Sequence, residues 1–123
     1  MTGHEAGQLR SLGEAECWDL IRTSPVGRLA WATDGEINVI PVNFEVDDHA
    51  IRIRTSPYSS LAQGCADSEV AFEVDELDPA HRGGWSVLLH GHCAAEGGTS
   101  SGPQPWAGGA RMFGLRIEVR SVS

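Results

Sequence analysis

Ile37-Asn38-Val39-Ile40-Pro41-Val42-Asn43-Phe44-Glu45-Val46, then Asp47-Asp48-His49, then Ala50-Ile51-Arg52-Ile53-Arg54-Thr55: this stretch alternates with period two on both sides of a short acidic turn. Ile40, Val42, Phe44 and Val46 share one face, and Val39, Pro41, Asn43 and Glu45 share the other. After the turn, Ile51 and Ile53 face inward and Arg52 and Arg54 outward. Strict alternation over this length predicts half-buried strands, and the short turn makes them antiparallel neighbours.

The same period recurs outward from this hairpin. Val26 to Ala32 reads as a strand, closed by Thr33-Asp34-Gly35-Glu36, where Asp-Gly marks a tight hairpin turn. Glu69 to Glu76, Trp85 to Ala95 and Met112 to Val122 supply three more strands. Asp78 to Gly84 reads as a loop, and Glu96 to Gly109, rich in Gly, Ser and Pro, as an irregular excursion. Two short helices complete the set. One covers 13–22, with Leu12, Cys17, Leu20 and Ile21 at helical spacing and acidic residues early, where the helix dipole favours them. The other runs from Pro57 to Gln63. Residues 1–11 are read as a flexible N-terminus and 12–123 as one domain. Six strands without strand–helix alternation predict a mainly β chain. A six-stranded antiparallel barrel is its natural closure, since a barrel leaves no exposed edge.

Composition narrows the chemistry. The chain of 123 residues carries 9 basic and 17 acidic side chains, net −8, and every basic residue is Arg. Without Lys there is no Schiff-base chemistry and no phosphate-loop Lys. The scattered Arg and the acidic balance argue against nucleic acid as a partner. No apolar run is long enough to span a membrane, and Met1 to Leu12 lacks the apolar core of a signal peptide, so a cytoplasmic protein is expected. Cys17, Cys65 and Cys93 are too far apart and too few for a disulfide framework or zinc site, and read as buried thiols. His90 and His92 share a strand face, an incomplete metal site on their own.

Three places could carry chemistry. At Arg54-Thr55-Ser56-Pro57-Tyr58-Ser59-Ser60 a strand end meets a Ser-Pro helix start. Free N–H groups, a guanidinium and hydroxyls of Thr55, Ser56, Ser59 and Ser60 would suit a phosphate monoester, or else provide ordinary capping. Trp85-Ser86 either borders a flat aromatic ligand or packs Trp85 in the core. Asn43, an amide in an apolar run, either satisfies backbone groups or faces a ligand.

Six segments in one order then resemble a known family: Ser24-Pro25-Val26-Gly27-Arg28-Leu29-Ala30, Ile40-Pro41-Val42-Asn43-Phe44, Arg54-Thr55-Ser56-Pro57, Val70-Ala71-Phe72-Glu73-Val74-Asp75, Gly84-Trp85-Ser86-Val87-Leu88 and Pro105-Trp106. Together they resemble the pyridoxamine 5′-phosphate oxidase-related flavin-binding proteins, from about Leu12 to Arg116. The resemblance implies a split β-barrel homodimer with FMN at the subunit interface, and an oxidoreductase acting on a small molecule. By position, Arg54, Thr55, Ser59 and Ser60 would hold the FMN phosphate. Asn43, Trp85 and Ser86 would line the ribityl chain and ring, and Trp106 would reach across from the other subunit. Ser60 stands where similar sequences commonly carry Lys. The alternatives are a flavin carrier or sensor, a cofactor-free dimeric interaction module, and a related barrel that binds deazaflavin or haem.

Overall fold

A computed structural model describes residues 2–5, 8–55, 60–96 and 113–123. Its elements run β1 (Thr2–Glu5), β2 (Gln8–Ser11), α1 (Glu14–Ile21), β3 (Val26–Thr33), β4 (Glu36–Asp47), β5 (Ala50–Thr55), α2 (Ser60–Cys65), β6 (Ser68–Asp78), β7 (Gly83–Glu96) and β8 (Phe113–Val122). Strands β3-β4-β5-β8-β7-β6 pair in that order, and β6 pairs back with β3, so six antiparallel strands close into a ring. The mainly β barrel with two short helices expected from the alternation is therefore present. The closing seam is narrow. β3 and β6 pair only from Arg28↔Glu73 to Ala30↔Ala71 and then part, which splits the barrel on that side.

Two further strands lie within residues 1–11, a stretch with no legible period. β1 and β2 form a hairpin, and β1 pairs with the start of β7 through Gly3↔Trp85 and His4↔Gly84. Among the described residues no helix is long and apolar enough to cross a membrane.

The turns follow their residues. Asp34 and Gly35 take φ of 51° and 82°, the paired positive values of a two-residue hairpin loop. Asp48, at φ 57°, opens the loop between β4 and β5. The expected helix at 57–63 is described from Ser60 and runs on to Cys65, because Leu61 and Cys65, one turn apart, are both buried. Its expected start at Ser56 and Pro57 lies outside the described residues.

Inside the barrel the alternation holds. Ile51, Ile53, Val70, Phe72, Val74, Leu115 and Ile117 are all at most 5% exposed. α1 adds Cys17, Trp18 and Ile21 to the same core. Phe72 sits at the centre. Its ring meets Phe44 edge-on at a centroid distance of 5.0 Å and lies over Gly27, where a Cβ would come within 2.3 Å of it. The three cysteines are free and buried, and burial pushes the Cys65 thiol up to about 12 and Cys93 to about 11, so both stay protonated at neutral pH.

β7 and β8 shift register between His90↔Ser121 and Gly91↔Val119, which leaves Arg120 as an extra residue on β8. Gly91 makes this possible, since a Cβ there would stand 2.3 Å from the Glu118 carbonyl oxygen.

Candidate functional site

The outer face of the barrel gathers part of the expected site. Val26 pairs with Asn43 on the β3–β4 ladder, and Asp75 pairs with Ser86 on the β6–β7 ladder. The β4–β5 ladder ends at Phe44↔Ile53, so the next position in the same register sets Arg54 opposite Asn43. Since Phe44 and Ile53 belong to the core side, Asn43 and Arg54 point outward. Continuing the β3–β6 register past Arg28 brings Val26 level with Asp75, where the two strands part. One row thus crosses five strands: Arg54, Asn43, Val26, Asp75, Ser86. Two of its steps, Asn43 to Val26 and Asp75 to Ser86, are paired neighbours, and the split between Val26 and Asp75 lies in the middle of the row.

Arg54 is distinctive in this row. Among the described residues Arg10, Arg22, Arg28, Arg52, Arg116 and Arg120 pair with carboxylates, and Arg82, which does not, is exposed in the loop between β6 and β7. Arg54, half-buried, forms no ion pair among the described residues. In a chain with nearly twice as many acids as bases, an uncompensated guanidinium at a strand end is a ready anion contact. Thr55, next to it, ends β5 opposite Phe113.

Not every expected residue joins the row. Trp85 lies on the opposite face of β7 from Ser86, in line with buried Val87 and Leu89, and packs on the core. Leu29 and Trp31 also point inward, at 0% and 5% exposure, and belong to the core. Ser60 is the first residue of α2. Ser59 and Trp106 lie outside the described residues.

Farther along the outer face, His92 is held from both sides. Its Nδ1 is 2.8 Å from Glu69 Oε2 and its Nε2 is 3.0 Å from Asp67 Oδ1, an arrangement that suits the doubly protonated ring. Arg120, set out by the β8 bulge, hydrogen-bonds the same Glu69. Glu69 and Asp67 raise the His92 pKa above its ordinary 6.5, and Arg120 and His92 lower Glu69 below 4.5. The His92 contribution to stability is then complete below pH 6.5 and is lost as pH rises through the raised value. The Glu69 contribution is complete above pH 4.5 and is lost as pH falls through the lowered value. Urea midpoints of wild type and His92→Gln should therefore differ most between pH 4.5 and 6.5 and converge in alkali. A difference that grows with rising pH would contradict the ion pair.

Comparison with known proteins agrees with this architecture. The model of a family described as pyridoxamine 5′-phosphate oxidase matches residues 13–102. An FAD-binding protein from Mycobacterium smegmatis is 25% identical, with a TM-score of 0.72 over 90% of this chain and 91% of that one. A conserved protein of unknown function from Corynebacterium diphtheriae is 28% identical, with a TM-score of 0.73 over 90% and 91%. An FAD-binding protein from Mesorhizobium loti, at 22% identity, shares the fold with a TM-score of 0.76 over 92% and 94%. No curated protein matches the chain. With the barrel, its register and a family match across most of its length, the chain belongs to the pyridoxamine 5′-phosphate oxidase family.

Proposed function

We propose that this chain binds a flavin nucleotide along the Arg54–Asn43–Ser86 row and is an oxidoreductase on a small molecule. The observation that carries the reading is Arg54: a half-buried cation without a carboxylate partner among the described residues, at the end of the row that also holds Asn43 and Ser86. Two proteins of similar fold bind FAD, and FAD shares with FMN the ring, the ribityl chain and the first phosphate. FMN is the ligand we favour, since those shared parts are what the row can address. A bound flavin would supply two-electron chemistry. The chain's part is positional. Arg54 and Thr55 take the phosphate, while the Asn43 amide and Ser86 hydroxyl offer hydrogen bonds along the rest of the row.

The test is a titration of the purified chain with FMN and with FAD, followed by flavin fluorescence. Arg54→Ala should weaken binding by about 1.5–3 kcal/mol, the range for hydrogen bonds to charged groups, or roughly ten- to 150-fold. Equal affinity of parent and variant would place the phosphate elsewhere, and no binding of either flavin would overturn the reading.

The same proposal includes a homodimer with the site at the subunit interface. Val26, Ile37 and Val39 are 46%, 79% and 57% exposed on the outer face of β3 and β4. From Ile37 a shallow groove of about 290 Å³ runs over Ala30, Ala32 and Ala71, with Glu69, His90 and Arg120 also lining it. An apolar face of this kind suits a self-complementary contact. Sedimentation at micromolar concentration should give twice the chain mass of 13.2 kDa, and a monomer mass would count against the dimer.

A further inference from the structure

A cavity separate from the ligand row lies at the other end of the β3–β4 ladder from the Val26↔Asn43 pair, where the hairpin meets α2. It encloses about 410 Å³, within the usual size range of small-molecule sites. Trp31 and Thr33 line it from β3, and their ladder partners Asn38 and Glu36 line it from β4. Asp34 stands at the turn, and Gln63 and Gly64 of α2 close the far side.

The floor of this cavity holds a donor with nothing to donate to. Trp31 is only 5% exposed. Its carbonyl accepts from Asn38 Nδ2 at 3.4 Å, but its indole N–H has no acceptor among the described residues. Nε1 lies 2.5 Å from where a Cβ of Gly64 would stand, and Thr33 Oγ1 lies 3.2 Å from the same point. A side chain at position 64 would fill the spot on which the indole N–H and the Thr33 hydroxyl converge, and glycine leaves it open to the cavity. A buried donor without an acceptor costs free energy, so an oxygen atom placed at that spot is stabilised.

Around this floor the charge is of one sign. Asp34 and Glu36 form no ion pair among the described residues, and no Arg or His is among those that line the cavity. An anion is disfavoured there and a cation favoured. The Gln63 amide adds both a donor and an acceptor at the rim.

We propose that this cavity binds a small hydroxylated amine, of the amino-sugar or amino-alcohol class. A ligand hydroxyl oxygen accepts from the Trp31 N–H, and the ammonium group lies beside Asp34 and Glu36. The site is independent of the flavin reading, since it shares no residue with the Arg54–Asn43–Ser86 row.

Glucosamine is the probe, followed through the indole N–H signals in proton–nitrogen NMR spectra of the full chain. Trp31→Phe identifies the Trp31 signal by its loss. Glucosamine should move that signal saturably and leave the other indole signals in place. Glucose, which lacks the ammonium group, should bind about two- to fivefold more weakly, the range for an exposed ion pair. Gluconate, of opposite charge, should leave the signal where it is. Asp34→Asn removes a charge while keeping a residue that tolerates the φ of 51°, so it should narrow the gap between glucosamine and glucose. Thr33→Val keeps the side-chain shape and should weaken both sugars. Amide spectra unchanged away from the hairpin would confirm that both variants fold. A Trp31 signal that ignores glucosamine, or that responds equally to glucosamine, glucose and gluconate, would overturn the proposal. So would a glucosamine response that neither Asp34→Asn nor Thr33→Val alters.

Discussion

Phe72→Ala is expected to destabilise the protein by about 3–5 kcal/mol, the usual cost of truncating a buried aromatic residue. Phe72 is fully buried, packs edge-on against Phe44 at 5.0 Å and roofs Gly27. The site can hardly collapse after truncation. On one side the ring is met by a glycine without a side chain to move in, and on the other by Phe44, itself held in the β4 alternation. A domain of this size is stable by only about 5–15 kcal/mol, so the variant should unfold at much lower denaturant. Guanidinium unfolding curves measure this directly. Leu77→Ala serves as the control: Leu77 is 78% exposed, and its loss should change stability by no more than about 0.5 kcal/mol. Similar midpoints for the two variants would mean that the core is not centred on Phe72.

Gly91→Ala should destabilise by about 3 kcal/mol, the upper end of the range for overpacking. The added Cβ would stand 2.3 Å from the Glu118 carbonyl oxygen and 2.9 Å from Ile117 Cγ2. The first obstacle is backbone in a paired ladder, so relief requires β7 and β8 to separate. That movement would also disturb the bulge that sends Arg120 to Glu69. The expected result is a lowered thermal midpoint together with faster amide exchange at Ile117 and Val119. An alanine variant as stable as its parent would show that the two strands are not held at this spacing.

Most of the barrel was legible because period two in β4 and β5 assigns a face to each residue without reference to the rest of the chain. For Trp85 the sequence left core and ligand both open, and the fold sets it partly buried against the core, in line with Val87 and Leu89. β1 and β2 carried no such pattern, and β1 owes its place to pairing with Gly84 and Trp85 rather than to its own residues. Asn43 and Ser86 were identified singly, but their alignment with Arg54 depends on the registers of separate ladders. The ion pairs of Arg28 with Glu73 and Asp75 depend on the β3–β6 seam, which joins residues 45 and 47 positions apart, and no local spacing encodes them.

The ring closure has a consequence for how the chain folds. β8 pairs with β5 through Ile51↔Ile117 and with β7 through Cys93↔Ile117, and the first partners lie more than half the chain apart. The hairpins β3–β4, β4–β5 and β6–β7 join strands that are consecutive in sequence and can form early. The last strand must search across a long loop before its contacts reward the lost entropy, and such topologies fold slowly. Until it docks, β5 and β7 each offer an unpaired edge to any passing strand, so assembly of this protein is most vulnerable to aggregation in the interval before β8 arrives.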